Sequence, residues 1–248
     1  MQNLSPTPTF ERGAVQPMVC LRAGYDLIKD QYWLFVGMCF VGILIGSIVP
    51  FGILMGPMMC GLYLAIFQKH RGQQVEFGLL FKGFDYMAES IIATLIHVVP
   101  IIVIIVPFYI AFYGALFFIL PRSGEPDPGA LLAFMGAFFV FLIVIMLLIM
   151  VISVLFTFTY PLIVDRRMGG IDAVRTSAKA ALANFWPLLG LILLTGLLGF
   201  CGVLLCYVGM FLVFPVTFAA MSIAYEQVFG IKGEAPVVAG PPPPPTFN

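Results

Sequence analysis

Polar and apolar residues along this chain fall into long blocks rather than alternating singly. No Asp, Glu, Lys or Arg occurs from Gln31 to Gln68, Ser90 to Pro121, Gly129 to Val164 or Phe185 to Tyr225. Three shorter stretches lead into these runs: Pro17–Asp30, Glu76–Glu89 and Ile171–Asn184. In the first, Leu21, Gly24, Tyr25, Ile28 and Tyr32 share a helical face opposite Arg22, Asp26, Lys29 and Asp30. In the second, Phe77, Leu80, Phe81, Phe84 and Met87 oppose Lys82, Asp85 and Glu89. In the third, Ile171, Val174, Ala178, Leu182 and Phe185 oppose Asp172, Arg175, Lys179 and Ala183. This spacing predicts three amphipathic helices.

A membrane-spanning helix needs roughly 20 apolar residues. The runs therefore predict six spans, at approximately 32–49, 51–67, 90–119, 130–164, 187–205 and 209–228. They are continuous and lack strand alternation, which excludes a β-barrel. Each amphipathic stretch introduces two spans, so the same unit occurs three times, at about 17–72, 73–169 and 170–229. The first and third units align without gaps: Trp33 with Trp186, Tyr32 with Phe185, Gln31 with Asn184, Gly24 with Ser177. Each unit closes on a polar turn and a glycine, at Gln68–Gly72, Asp165–Gly169 and Glu226–Gly230. The expected fold is an all-α membrane protein of six transmembrane helices. They form three pseudo-repeated hairpins, each preceded by an amphipathic interfacial helix. Residues 1–16 are expected as a flexible N-terminus and 230–248 as a Pro-rich tail.

Composition agrees. Hydrophobic residues make up 61%, charged residues 10%, and the mean hydropathy is +1.07. So few charges cannot cover the surface of a soluble domain. The net charge of zero hides an asymmetry. Of the twelve Lys and Arg residues only Arg122 falls on the side opposite the amphipathic stretches, so the positive-inside rule places both termini in the cytoplasm. No cleavable signal peptide is visible, and the first span is expected to act as an uncleaved anchor.

Spans three and four exceed the hydrocarbon thickness, so they are expected to tilt, kink or project, with Pro100 and Pro107 as kink sites. Gly56-Pro57 is a candidate interruption of span two, with Ser47, Ser90 and Thr94 as nearby polar groups. Gly42-x-x-x-Gly46, Gly52-x-x-x-Gly56 and the stripe Gly196, Gly199, Gly202 permit close helix packing within the molecule or between copies. Cys39 and Cys60 are expected as packing residues, and Cys201 and Cys206 flank an outer turn where a disulfide is conceivable. The Pro241–Pro245 tail reads as polyproline II, either a stiff tail or a docking peptide.

Chemistry-bearing residues are sparse. His97 is the one near-neutral titratable group within the runs, a candidate intramembrane polar site, with no carboxylate in any run to pair with it. No nucleophilic triad, metal cluster, phosphate loop or dinucleotide fingerprint is present, so neither catalytic residues nor a cofactor or metal is expected. The amphipathic stretches are either connecting elbows or a specific surface for lipids or partners. Candidate lipid-headgroup contacts are Arg22, Lys29, Lys69, Arg71, Lys82, Arg166, Arg167, Arg175 and Lys179. Trp33 and Trp186 are candidate interface anchors.

The segment Pro161-Leu-Ile-Val-Asp165-Arg166-Arg-Met-Gly169-Gly-Ile-Asp172-Ala-Val-Arg175-Thr-Ser177, followed by Asn184-Phe-Trp186-Pro-Leu-Leu, resembles a group of bacterial six-helix membrane proteins. Gly56-Pro57 to Tyr63, Arg71-Gly72 and Phe77 to Phe84 fit the same pattern. That group is of uncharacterised function and is similar to the membrane domain of some glycerophosphodiester phosphodiesterases. The resemblance implies the six-helix fold and a bacterial inner-membrane location. It brings no hydrolase activity, since the catalytic domain is missing from this sequence. The expected function is a non-enzymatic accessory or scaffolding subunit. Its partners would be membrane lipids and other membrane proteins or further copies of itself, with no nucleic acid. The alternative is a transporter or channel-like protein for a lipid or small apolar solute.

Overall fold

The computed structural model describes residues 10–48, 52–119, 128–204 and 208–231. Arg122, Cys206, Lys232 and the Pro241–Pro245 tail lie outside these residues. Every regular element among the described residues is helical. Helix α1 (Pro17–Ile28) passes through a 3-10 turn, Lys29–Gln31, into α2 (Tyr32–Ile48). Helix α3 (Met55–His70) precedes a 3-10 segment, Phe77–Tyr86, and α4 (Met87–Ile119). Then come α5 (Pro128–Phe156), α6 (Thr159–Arg166), α7 (Gly170–Ala183), α8 (Phe185–Leu204) and α9 (Val208–Phe229).

Five stretches are long and apolar enough to cross a membrane: Pro17–Ile48, Phe77–Phe117, Leu131–Arg166, Phe185–Leu204 and Gly209–Phe229. They define an all-α protein of the multi-pass membrane type. The expected second span differs from its sequence reading. Pro57 does not interrupt it but sits in the first turn of α3, where a missing N–H costs no helical bond. The helix is therefore only 16 residues long, about 24 Å. From Gly56 to Phe67 every residue except Leu64 is buried. Helix α3 is thus the centre of the bundle. Tyr63 packs edge-on against Phe218, and Phe67 against Tyr225, both of α9. Phe158, at the head of α6, closes the same aromatic cluster against Tyr225 and Phe229.

Helix α4 is one 33-residue helix that contains Pro100 and Pro107. The expected fourth span, 130–164, corresponds to the apolar stretch Leu131–Arg166, with a turn at Thr157–Phe158 dividing it into α5 and α6. One further expectation is corrected. The second amphipathic stretch winds as 3-10 over Phe77–Tyr86 rather than as an α-helix. Its Gly78 and Gly83 weaken α propensity, so packing decides its winding.

That packing is close. A β-carbon at Gly83 would overlap the Pro57 carbonyl oxygen, and one at Gly61 would overlap that of Leu80. On the other side of the bundle a β-carbon at Gly24 would lie 2.6 Å from the Ala220 nitrogen of α9. The first two amphipathic segments thus lie with their backbones directly against α9 and α3, and at the third a β-carbon on Gly170 would overlap the Glu89 carbonyl oxygen of α4.

The three segments are also tied end to end. Gln31, at the end of the first, donates from Nε2 to the Val75 carbonyl and accepts from the Val75 N–H, both at 3.1 Å, just before the second begins. Glu89, after the second, accepts from the N–H of Gly170, the first residue of α7, at 2.6 Å. Asn184, after the third, donates to the Glu11 carbonyl at 3.0 Å and accepts from the Ala14 N–H at 3.2 Å, just before α1. The chain of clamps closes on itself.

Substituting Gly83→Ala is expected to lower stability by about 1–3 kcal/mol through overpacking against α3. Gly78→Ala, where nothing lies within 4 Å of an added β-carbon, is expected to be neutral. Thermal unfolding in mild detergent, followed by size-exclusion fluorescence, compares the two.

Candidate functional site

A cavity of about 520 Å³ opens between α5 and the α8–α9 hairpin, with α3, α4 and α6 behind it. That volume is in the range that takes one small organic ligand. His97 of α4 lines it, as the intramembrane candidate of the sequence. The imidazole lies against the Phe156 ring, with centroids 4.5 Å apart. The other polar side chains on the wall are Tyr63, Ser153, Thr157, Tyr160, Thr195 and Thr217, and among the described residues no Asp, Glu, Lys or Arg lines the cavity. The rest is apolar, including Met59, Phe214 and Phe218. At Gly196 and Gly199 of α8, which also line it, the space beside the backbone is open.

The break between α5 and α6 helps shape this wall, because it interrupts the helix between Phe156 and Tyr160. A broken helix inside a bundle needs internal partners for its freed backbone groups. Ser177 of α7 supplies them. Its hydroxyl accepts from the Phe158 N–H at 3.1 Å and donates to the Leu155 carbonyl at 2.7 Å. Thr157 and Tyr160, at the break, then line the cavity. Tyr160 pairs with Thr94 at 3.1 Å. Of the polar groups expected near Pro57, Ser90 and Thr94 are buried and Ser47 is exposed, and none of the three lines the cavity.

At the other end of the bundle the polar residues converge. Asp165, its side chain fully buried, accepts from the Tyr225 hydroxyl at 2.8 Å and pairs with Arg166 at 2.9 Å. Arg166 also donates to the carbonyls of Phe229 and Gly230. His70 lies 3.3 Å from Glu226, joining α3 to α9. Lys69 bonds Asp30 and Gln31. Of the expected headgroup contacts, Lys69 and Arg166 are thus engaged within the protein. Arg22, Lys29, Arg71, Lys82, Arg167, Arg175 and Lys179 are exposed. Trp33 and Trp186 are 74% and 77% exposed, beside the amphipathic segments.

Sequence reasoning singled out His97 but missed Thr157, Tyr160, Thr195 and Thr217, because a hydroxyl within an apolar run gives no signal of the side it faces. Among the described residues no group of three or more His, Cys, Asp or Glu could hold a metal ion. Comparison with protein-family models, curated proteins and solved structures finds no match.

Replacing Ser177 with Ala strands the Phe158 N–H and the Leu155 carbonyl in an apolar setting. The expected loss is about 2–3 kcal/mol, read as a lowered unfolding midpoint in detergent.

Proposed function

We propose that this chain is a non-enzymatic membrane protein that holds a lipid or small apolar molecule of the bilayer in the cavity beside His97. The observation that carries the reading is the cavity itself: ligand-sized, open to the outside, bounded by apolar helices and free of charged side chains. An ion or charged solute would find no partner there, whereas a molecule already dissolved in the membrane needs none.

The proposal extends to topology. Six spans, α2, α3, α4, α5 with α6, α8 and α9, form three hairpins, each introduced by an amphipathic segment at the headgroup level. The cyclic order of the clamps, first to second, second to third and third to first, supports a threefold duplication. The positive-inside rule puts the clamped end in the cytoplasm. The resemblance to bacterial six-helix proteins supports an inner membrane, where exposed Arg22, Lys82, Arg175 and Lys179 would meet lipid headgroups.

A second reading, an accessory or scaffolding subunit, draws on the α4–α5 hairpin. Its helices of 33 and 29 residues are about 50 and 44 Å long, against roughly 30 Å of hydrocarbon. Tilt alone would have to exceed the ~40° upper end of the usual range. Exposed Tyr113, Phe117, Leu132 and Met135 lie toward the far end, where a partner protein or second copy would cover them.

Organic extraction of the full chain purified in mild detergent is expected to release a stoichiometric apolar molecule. Gly199→Leu, which fills the cavity, is expected to lower its yield about tenfold or more while the fold persists. An equal yield from both proteins, or none from either, contradicts the cavity reading. The oligomeric state of the same preparation tests the second one: monomers without a cross-linked neighbour in native membranes count against it.

A further inference from the structure

The hydrogen-bonding groups on the cavity wall narrow what it can take, given the cavity reading above. Ser153 donates its hydroxyl proton to the Ile149 carbonyl at 2.9 Å and Thr157 to Ser153 at 3.0 Å. Thr195 donates to Leu191 at 2.9 Å and Thr217 to Val213 at 3.3 Å. Thr94 donates to the Ser90 carbonyl at 2.7 Å, so in its pairing with Tyr160 the tyrosine must be the donor. The protons of these five wall hydroxyls are therefore committed, and what these groups still offer is lone pairs; the remaining wall hydroxyl is that of the buried Tyr63.

His97 differs. Its imidazole lies against Phe156, and among the described residues no hydrogen bond engages it. A neutral imidazole carries one N–H and one lone pair. His97 is thus an uncommitted donor on the wall, and it is less buried than Tyr63, which shares that wall. It lies ten residues along α4 from Met87, about 15 Å from the amphipathic end and close to the midplane of a ~30 Å hydrocarbon layer. The ester carbonyls of a phospholipid sit near its headgroup and not at that depth, so its tail would leave the N–H unmet. A charged head would be desolvated with no counter-charge on the wall.

We infer that the cavity takes a neutral amphiphile whose carbonyl, ether or hydroxyl oxygen accepts from the His97 imidazole at the membrane midplane. Its apolar tail lies along the open backbone of Gly196 and Gly199 toward Val203. The lone pairs of Thr157, Thr195 and Thr217 receive any hydroxyl proton the head carries. Phe156 shares the wall with the imidazole and packs against it, which limits the ring's rotation.

Photo-labelling of the full chain in lipid nanodiscs tests this with two probes. One is a long-chain monoacylglycerol bearing a diazirine near its head, the other a phosphatidylcholine bearing a diazirine in its acyl chain. The monoacylglycerol is expected to label peptides containing Phe156 or His97, and unlabelled monoacylglycerol to compete. His97→Phe is expected to reduce that labelling about tenfold, the worth of one lost buried hydrogen bond. His97→Gln, which retains a side-chain N–H, is expected to keep most of it, so a general loss of folding is told apart from loss of the donor. Equal labelling by both probes with no effect of His97→Phe overturns the neutral-head assignment and leaves the cavity reading standing. Loss in His97→Gln equal to that in His97→Phe also overturns it. Absence of labelling at the cavity wall by either probe overturns both.

Discussion

Three side-chain clamps hold this fold together: Gln31 on Val75, Glu89 on Gly170, and Asn184 on Glu11 and Ala14. Each takes up backbone groups just before or at the start of another amphipathic segment. Val75, for one, is buried, so without Gln31 its N–H and C=O would lack a partner. Because the last clamp returns to the start of the first segment, the three hairpins are braced at one end. The remainder of each hairpin needs no polar glue and can be almost wholly apolar.

That bracing sets the character of the interior. Ion pairs and carboxylate contacts gather at the clamped end, around Asp165, Arg166, Tyr225, His70 and Glu226. The inner helices meet through backbone-close contacts such as Gly83 on Pro57 and through the aromatic cluster of Phe67, Phe158 and Tyr225. The third amphipathic segment also satisfies the broken backbone between α5 and α6, through Ser177. That break borders the cavity, which lies between α5 and the α8–α9 hairpin. A clamp-level residue thus bears on the ligand wall some distance away, through one hydroxyl and one interrupted helix.

Much of this was legible in the sequence. The charge-free runs located nearly every long helix, and the 3.6-residue periodicity located the amphipathic segments, because a bilayer enforces both patterns strongly. Gln31 and Asn184 stood at matching positions of the alignment, though nothing in the sequence told that each would clamp the next segment's backbone. What escaped was anything decided by packing. Pro57 read as an interruption, but its place in the first turn of α3 could not be known without the start of the helix. The break at Thr157–Phe158 falls four residues before Pro161, which has no N–H for the Thr157 carbonyl, but the Ser177 hydroxyl that caps the break comes from a different segment. His97 was visible as a lone polar residue, but the cavity it lines is made by helices far apart in the chain.

An electron cryo-microscopy structure of the full chain in a lipid nanodisc tests the central claim, that braced hairpins leave a lipid-open cavity, most directly. The account predicts the three amphipathic segments joined in one ring at a single membrane face, with the cavity open between α5 and the α8–α9 hairpin and non-protein density reaching His97. Amphipathic segments found apart from one another, or α5 packed against α8 with the cavity closed, would contradict it.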